Sequence, residues 1–171
     1  MIRVSPRWLA LREPADAEAR ARDLVERLGR ALPPTGRRVI HDLGCGTGAM
    51  GRWLAPLLAG EQHWVLHDRD ADLLALAAAG RPRAAADGAP VTVEARRTDL
   101  AAVQARDLTG ASLITASALL DLLTEHELDR LAGLCAAAGC PALLTLSVTG
   151  RVEIAPASPL DGCVAAAFDA H

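Results

Sequence analysis

In VIHDLGCGTGAMG, residues 39–51, an aspartate closes a short apolar run and four glycines follow within eight residues: Asp42, then Gly44, Gly46, Gly48 and Gly51. Glycine costs roughly 0.5–1 kcal/mol against alanine in regular structure, so such a cluster marks a sharp turn or a close approach of backbone to something bound. A strand, a glycine loop and a helix in succession bring a ligand against main-chain N–H groups at the helix N-terminus. Gly44, Gly46 and Ala49 satisfy the dinucleotide pattern G-x-G-x-x-A, and Asp68 follows Gly44 by 24 residues, a spacing that suits a ribose contact. Asp42 discriminates. A carboxylate two residues before the first glycine repels a pyrophosphate but welcomes an amino group or a sulfonium.

For proton chemistry the sequence offers Asp121 in ASALLDLL, which follows an apolar run and could meet a substrate proton or fix its loop. His41 and His67 each precede an aspartate, and strand alternation turns them away from Asp42 and Asp68, so they read as packed or hydrogen-bonded sheet residues. His126 falls in the first turn of a helix and is expected at the surface. Cys45, Cys135, Cys140 and Cys163 form neither a CxxC pair nor a zinc spacing, so no metal centre is expected. The first residues hold no apolar stretch of signal-peptide length, which leads to the expectation of free thiols in a reducing cytoplasm.

The elements that must position these residues follow from the apolar pattern. Hydrophobic residues make up 51% and charged residues 23%, a globular balance. Only Trp8, Trp53, Trp64 and Phe168 are aromatic, so the core is built from Leu, Val and Ala. A net charge of −3 gives no electrostatic footprint for nucleic acid. Residues 131–148 carry no charge, but Gly139-Cys140-Pro141 divides them into a buried helix and a buried strand rather than a membrane span.

Ala17, Ala21, Leu24, Val25, Leu28 and Leu32 follow helical spacing behind Pro14, predicting one amphipathic helix up to Pro33. Strands are predicted at RVIHDL, HWVLHD, from Val91, at ASLITAS and at PALLTLSV. Helices are predicted over residues 49–59, loosened at Pro56, over DADLLALAAAG, behind the Thr124/Glu127 capping box, and after Ser158-Pro159. Short apolar strands alternating with helices predict a doubly wound α/β domain, a mostly parallel sheet with helices on both faces. Ligands bind such sheets beyond the carboxyl ends of the strands, where the glycine loop falls.

DLGCGTG resembles motif I of the class I S-adenosylmethionine-dependent methyltransferases, an acidic residue followed by GxGxG, and the likeness extends from Val39 to about Val148. The resemblance implies a Rossmann-like fold, S-adenosylmethionine as cofactor and methyl transfer as activity. By the same resemblance Asp42 holds the methionine amino group, and Gly44, Gly46 and Gly48 let the cofactor lie against the backbone. Asp68 takes both ribose hydroxyls, Asp99 and Leu100 contact adenine, and Ser117 lies beside the methionine and sulfonium. Asp99 is also placed to cap the helix that follows it, and Ser117 to end a strand.

No N-P-P-Y signature and no paired cysteines for RNA methylation occur, so with the acidic balance a small-molecule acceptor is expected, its reacting atom left open. The segment from Trp8 to Asp16 either closes over the site or packs on the surface. Two other readings stand beside this one: a nicotinamide-dependent oxidoreductase, and a non-catalytic binding module of the same fold. A single domain is expected over residues 1–171, with a helical extension over 1–37 and the core over 38–171. The family's sheet usually ends with two more strands after the fifth. The expectation is therefore that these are missing here, leaving a fifth-strand edge that further chain or a homodimer would cover.

Overall fold

The computed structural model describes residues 4–146 and 155–169. Five apolar runs form the strands β1 (Arg38–Leu43), β2 (Gln62–Asp68), β3 (Val91–Arg97), β4 (Leu113–Ser117) and β5 (Ala142–Thr145). They lie in the order β3-β2-β1-β4-β5, with every neighbouring pair parallel. The chain winds outward from β1 to β3, then returns to lay β4 on the other side of β1. The strand order therefore reverses between β1 and β4, where Asp42 pairs in register with Thr115.

The helices are α1 (Pro6–Ala19), α2 (Arg22–Ala31), α3 (Ala49–Leu54), α4 (Ala71–Ala79), α5 (Glu125–Ala138) and α6 (Asp161–Asp169). Over β1, β2 and β4 both sheet faces are covered and those strands are mostly buried, whereas the outer strands β3 and β5 are partly exposed. Ile40, Trp64 and Leu66 pack with Met50, Leu54, Leu74, Val25 and Leu28. A second cluster joins Leu43, Ile114 and Ala116 to Val103, Leu108, Leu131 and Leu134. Trp64, only 1% exposed, fills the first layer, and its indole N–H donates to Gln62 Oε1 at 2.9 Å. Gln62 in turn donates to the carbonyls of Ala55 and Leu58, so the polar atoms brought in with the wedge are satisfied.

The single N-terminal helix expected from Pro14 is instead two. Pro6 occupies the first turn of α1, and the helix runs through Pro14 to Ala19. Pro14 is exposed, so water can serve the carbonyl that its missing N–H leaves unpaired. Arg20 and Ala21 are extended, and only from Val25 onward does the periodic face reach the core. Ala21 is exposed and Leu24 is 40% exposed. Likewise the helix expected over residues 49–59 stops at Leu54, and Pro56 sits in a separate 3-10 turn, Ala55–Leu57.

The capping box is present: Glu127 N donates to Thr124 Oγ1, and Glu127 Oε2 accepts from Thr124 N at 2.8 Å. β5 ends at Thr145, and the last two residues of PALLTLSV lie outside the described residues. Among the described residues no helix is long and apolar enough to cross a membrane.

Candidate functional site

The carboxyl ends of β1, β2 and β4 open into a cavity of about 770 Å³, within the range of small-molecule sites. Asp42, Gly44, Gly46, Asp68, Asp99, Leu100, Ser117 and Asp121 all line it, so one space collects residues spread over 80 positions of sequence. Gly48 faces elsewhere.

The loop after β1 turns through positive φ at Gly44, Gly46 and Gly48, +65°, +54° and +82°. Among the described residues, a Cβ on Gly46 would meet only Leu9 Cδ1, at 3.5 Å, on the cavity side. A Cβ on Gly48 would stand 3.1 and 3.2 Å from Ala77 Cβ and Cα, inside the contact between this loop and α4. Gly46 thus keeps space open in the cavity, while Gly48 permits close packing.

Asp42 is 1% exposed at the base of the cavity. Its Oδ1 accepts from Thr115 Oγ1 at 2.7 Å, and its Oδ2 has no hydrogen-bond partner among the described residues. Burial pushes the carboxyl up to about 7, against the lowering effect of the Thr115 hydrogen bond and of the Arg20 charge. A buried carboxylate with an orphaned oxygen beside a cavity is poised for a cation or a donor from a ligand.

That shift predicts a pH signature in the ligand-free protein. The folded carboxyl titrates above its unfolded value of 3.8, so its protonated form supports folding below that value and this support is lost as pH rises through about 7. Asp42→Asn is therefore expected to gain stability relative to the parent between pH 4 and pH 8, on the order of 4 kcal/mol. Paired chemical-denaturation curves across that range check it, and a pH-independent difference would contradict it.

Asp68 ends β2 with both oxygens engaged by the backbone: Oδ2 accepts from Gly46 N at 2.8 Å and Oδ1 from Asp70 N at 2.9 Å. It fastens the glycine loop to the β2 turn and retains lone pairs for further donors. Asp99 caps the 3-10 turn Leu100–Ala102, its Oδ1 accepting from Ala101 N, and Arg130 of α5 donates to the carbonyls of Ala101 and Val103. Both the capping role and the cavity position of Asp99 are therefore present. Ser117 Oγ accepts from Thr145 Oγ1 at 3.0 Å and from Arg20 Nη2 at 3.2 Å. Asp121 lies exposed in the 3-10 turn Leu120–Leu122 at the cavity wall.

Arg20 belongs to this site, and the sequence pattern did not single it out. It is 8% exposed, donates to Ala49 O at 3.4 Å as well as to Ser117, and stacks 5.1 Å from the Trp53 ring centroid. Its signal was the arginine at the end of an alanine-rich helical face, legible only once the helix is known to break there. Leu9, Arg12, Glu13 and Asp16 of α1 also line the cavity, so the segment from Trp8 to Asp16 does close over it.

His41 and His67 form a stacked pair beneath the site, with His41 Nδ1 3.0 Å from His67 Nε2. Burial pushes both down to about 4; the His67 ring lowers His41 further, and the Arg96 charge lowers both. They are neutral sheet residues at neutral pH, with one ring donating and the other accepting. His126 is exposed, as its place in the first turn of α5 predicts.

No protein-family model and no curated protein matches the chain. Solved structures do. The magnesium protoporphyrin IX methyltransferase of Synechocystis PCC 6803, solved with S-adenosylhomocysteine bound, is 18% identical, with 88% of this chain and 64% of that one covered at a TM-score of 0.51. An S-adenosylmethionine-dependent methyltransferase from Mesorhizobium loti is 25% identical, with 70% and 51% covered at a TM-score of 0.46. The phosphoethanolamine N-methyltransferase 1 of Haemonchus contortus is 13% identical, with 89% and 34% covered at a TM-score of 0.49. The chain thus spans less than two thirds of the length of each of these proteins. Strand order, the glycine loop at the reversal and the match to the Synechocystis enzyme agree: the chain has the Rossmann-like fold of the class I S-adenosylmethionine-dependent methyltransferases.

Proposed function

We propose that this chain binds S-adenosylmethionine in the cavity and serves methyl transfer to a small-molecule acceptor. The observation that carries the reading is Asp42, a buried carboxylate with an unpartnered oxygen at the switch point of the sheet. A dinucleotide pyrophosphate would be repelled there, whereas the ammonium of a methionine tail would be held. The residues present fit the cofactor: Gly46 leaves room against the backbone, Asp68 retains acceptor capacity for ribose hydroxyls, and Asp99 and Leu100 form a wall for adenine.

When bound, the cofactor supplies an electrophilic methyl group. The chain's own residues then position and exclude. Asp42 and Asp68 fix the amino-acid tail and the ribose, and α1 covers the ligand, removing water from around the reacting centre. Trp8, 56% exposed, and Leu122, 71% exposed, give the cavity lining an apolar rim for the acceptor, and Asp121 on the same lining is the carboxylate placed to take a proton. This apolar rim and the acidic net charge favour a small acceptor with an apolar body over a nucleic acid.

A thermal melt tests the reading. S-adenosylhomocysteine at 100 times its dissociation constant is expected to add about 2.7 kcal/mol of stability, and NADH none. Stabilisation by NADH alone would favour the oxidoreductase reading and overturn this one.

A further inference from the structure

A helix on a protein surface normally turns its charged side chains to water and its apolar ones inward. In α1 the order is inverted. No residue of α1 is buried, and the side chains it turns toward the cavity include Arg12, Glu13 and Asp16, with Glu13 held by Arg52 at 2.7 and 2.6 Å. Two of its largest apolar side chains stand in water instead: Trp8 is 56% and Leu11 73% exposed, and Ala15 and Ala19, also exposed, continue the line. Single exposed apolar residues are ordinary, but these four recur every three or four positions and so share one helix face, the spacing of a helix-on-helix seam. Two exposed charges border this seam on the same flank, Arg7 near its start and Glu18 near its end. Neither has an ion-pair partner among the described residues.

We propose that this stripe is a homodimer seam, on which α1 of a second copy of the chain packs antiparallel. The two halves of the stripe complement each other. A two-fold axis near Leu11 lays Trp8 of each copy over Ala15 of the other, large against small, and brings the two Leu11 side chains together. Because Arg7 and Glu18 lie on one flank, the same axis sets Arg7 of each copy beside Glu18 of the other, and opposite charges meet at both ends of the seam. A bilayer fits less well. The stripe is narrow, shrinks to alanine over its second half and has the Glu18 carboxylate at its border, whereas an interfacial helix offers a broad apolar face rimmed by cations. Trp8 belongs both to the seam and to the cavity lining, so pairing brings the second copy next to each cavity. One helix against one helix is at the small end of specific interfaces, so a dissociation constant in the micromolar range is expected.

Sedimentation equilibrium of the intact 171-residue chain across the micromolar range tests the seam. The parent is expected to pass from monomer to dimer. Leu11→Glu sets two carboxylates against each other at the axis and is expected to weaken the dimer at least about 100-fold. Arg7→Glu and Glu18→Arg each turn two attractions into two repulsions by symmetry, and each is expected to weaken it about tenfold. The double variant Arg7→Glu/Glu18→Arg restores both pairs with the signs exchanged and is expected to regain the parent's affinity. All three positions are exposed, so the variants are expected to keep the parent's denaturation curve; if Leu11→Glu does not fold, the charge-exchange series decides alone. A parent that stays monomeric would overturn the proposal. So would a dimer indifferent to Leu11→Glu, as one formed at the β5 edge would be, or a double variant no tighter than the two single ones. A monomeric parent that co-sediments with phosphatidylglycerol vesicles, and stops doing so in Leu11→Glu, would assign the stripe to a lipid surface and overturn it as well.

Discussion

Gly46→Val is expected to yield a folded protein that binds S-adenosylhomocysteine at least about 100-fold more weakly, whereas Gly48→Val is expected to lose the fold first. Both positions have positive φ, so both substitutions carry backbone strain of about 1–2 kcal/mol. Their surroundings differ. The side chain on Gly46 would enter the cavity, where among the described residues only the far end of Leu9 lies within 4 Å. On Gly48 it would press on the backbone of Ala77 in α4, which has no freedom to withdraw. Overpacking of that kind adds about 1–3 kcal/mol to the strain, enough to unfold a marginal domain. Denaturation curves and calorimetry on the two variants check the contrast. Native affinity in folded Gly46→Val would show that the loop glycines serve the turn alone.

Asp68→Ala is expected to cost both affinity and stability. If the carboxylate receives two hydroxyl donors, removing it loses roughly 2–4 kcal/mol of binding. The same oxygens hold Gly46 N and Asp70 N, so the glycine loop loses its tie to β2 at a further cost of about 1–3 kcal/mol in stability. Affinity must therefore be measured at a temperature where the variant is shown to be folded. Unchanged affinity under those conditions would place the ribose elsewhere.

The strands, their parallel pairing and the glycine loop at the reversal were legible because each depends on local pattern: apolar runs, turn residues and a capping box. Asp42 was legible because its charge beside a glycine loop is anomalous for phosphate binding. Other features depend on contacts between distant parts of the chain. Gly46 and Gly48 are equivalent in the sequence pattern, and only the approach of α4 assigns them different tasks. The pairing of His41 with His67 needed the β1–β2 register, which sets them diagonally on one face. Arg20 was hidden because alanine spacing carried a helix straight through it. Where α1 ends, Arg20 contacts Ser117 and Trp53, long-range partners that no window of local sequence contains.

The central claim is that a methionine tail and a ribose occupy the two carboxylates at the ends of β1 and β2. An experimental structure of the complex with S-adenosylhomocysteine tests it most directly. The ammonium is expected on Asp42 Oδ2, the ribose hydroxyls on Asp68 and the adenine beside Asp99 and Leu100. Ligand density outside this cavity, or bound there with the ribose away from Asp68 and the ammonium away from Asp42, would contradict it.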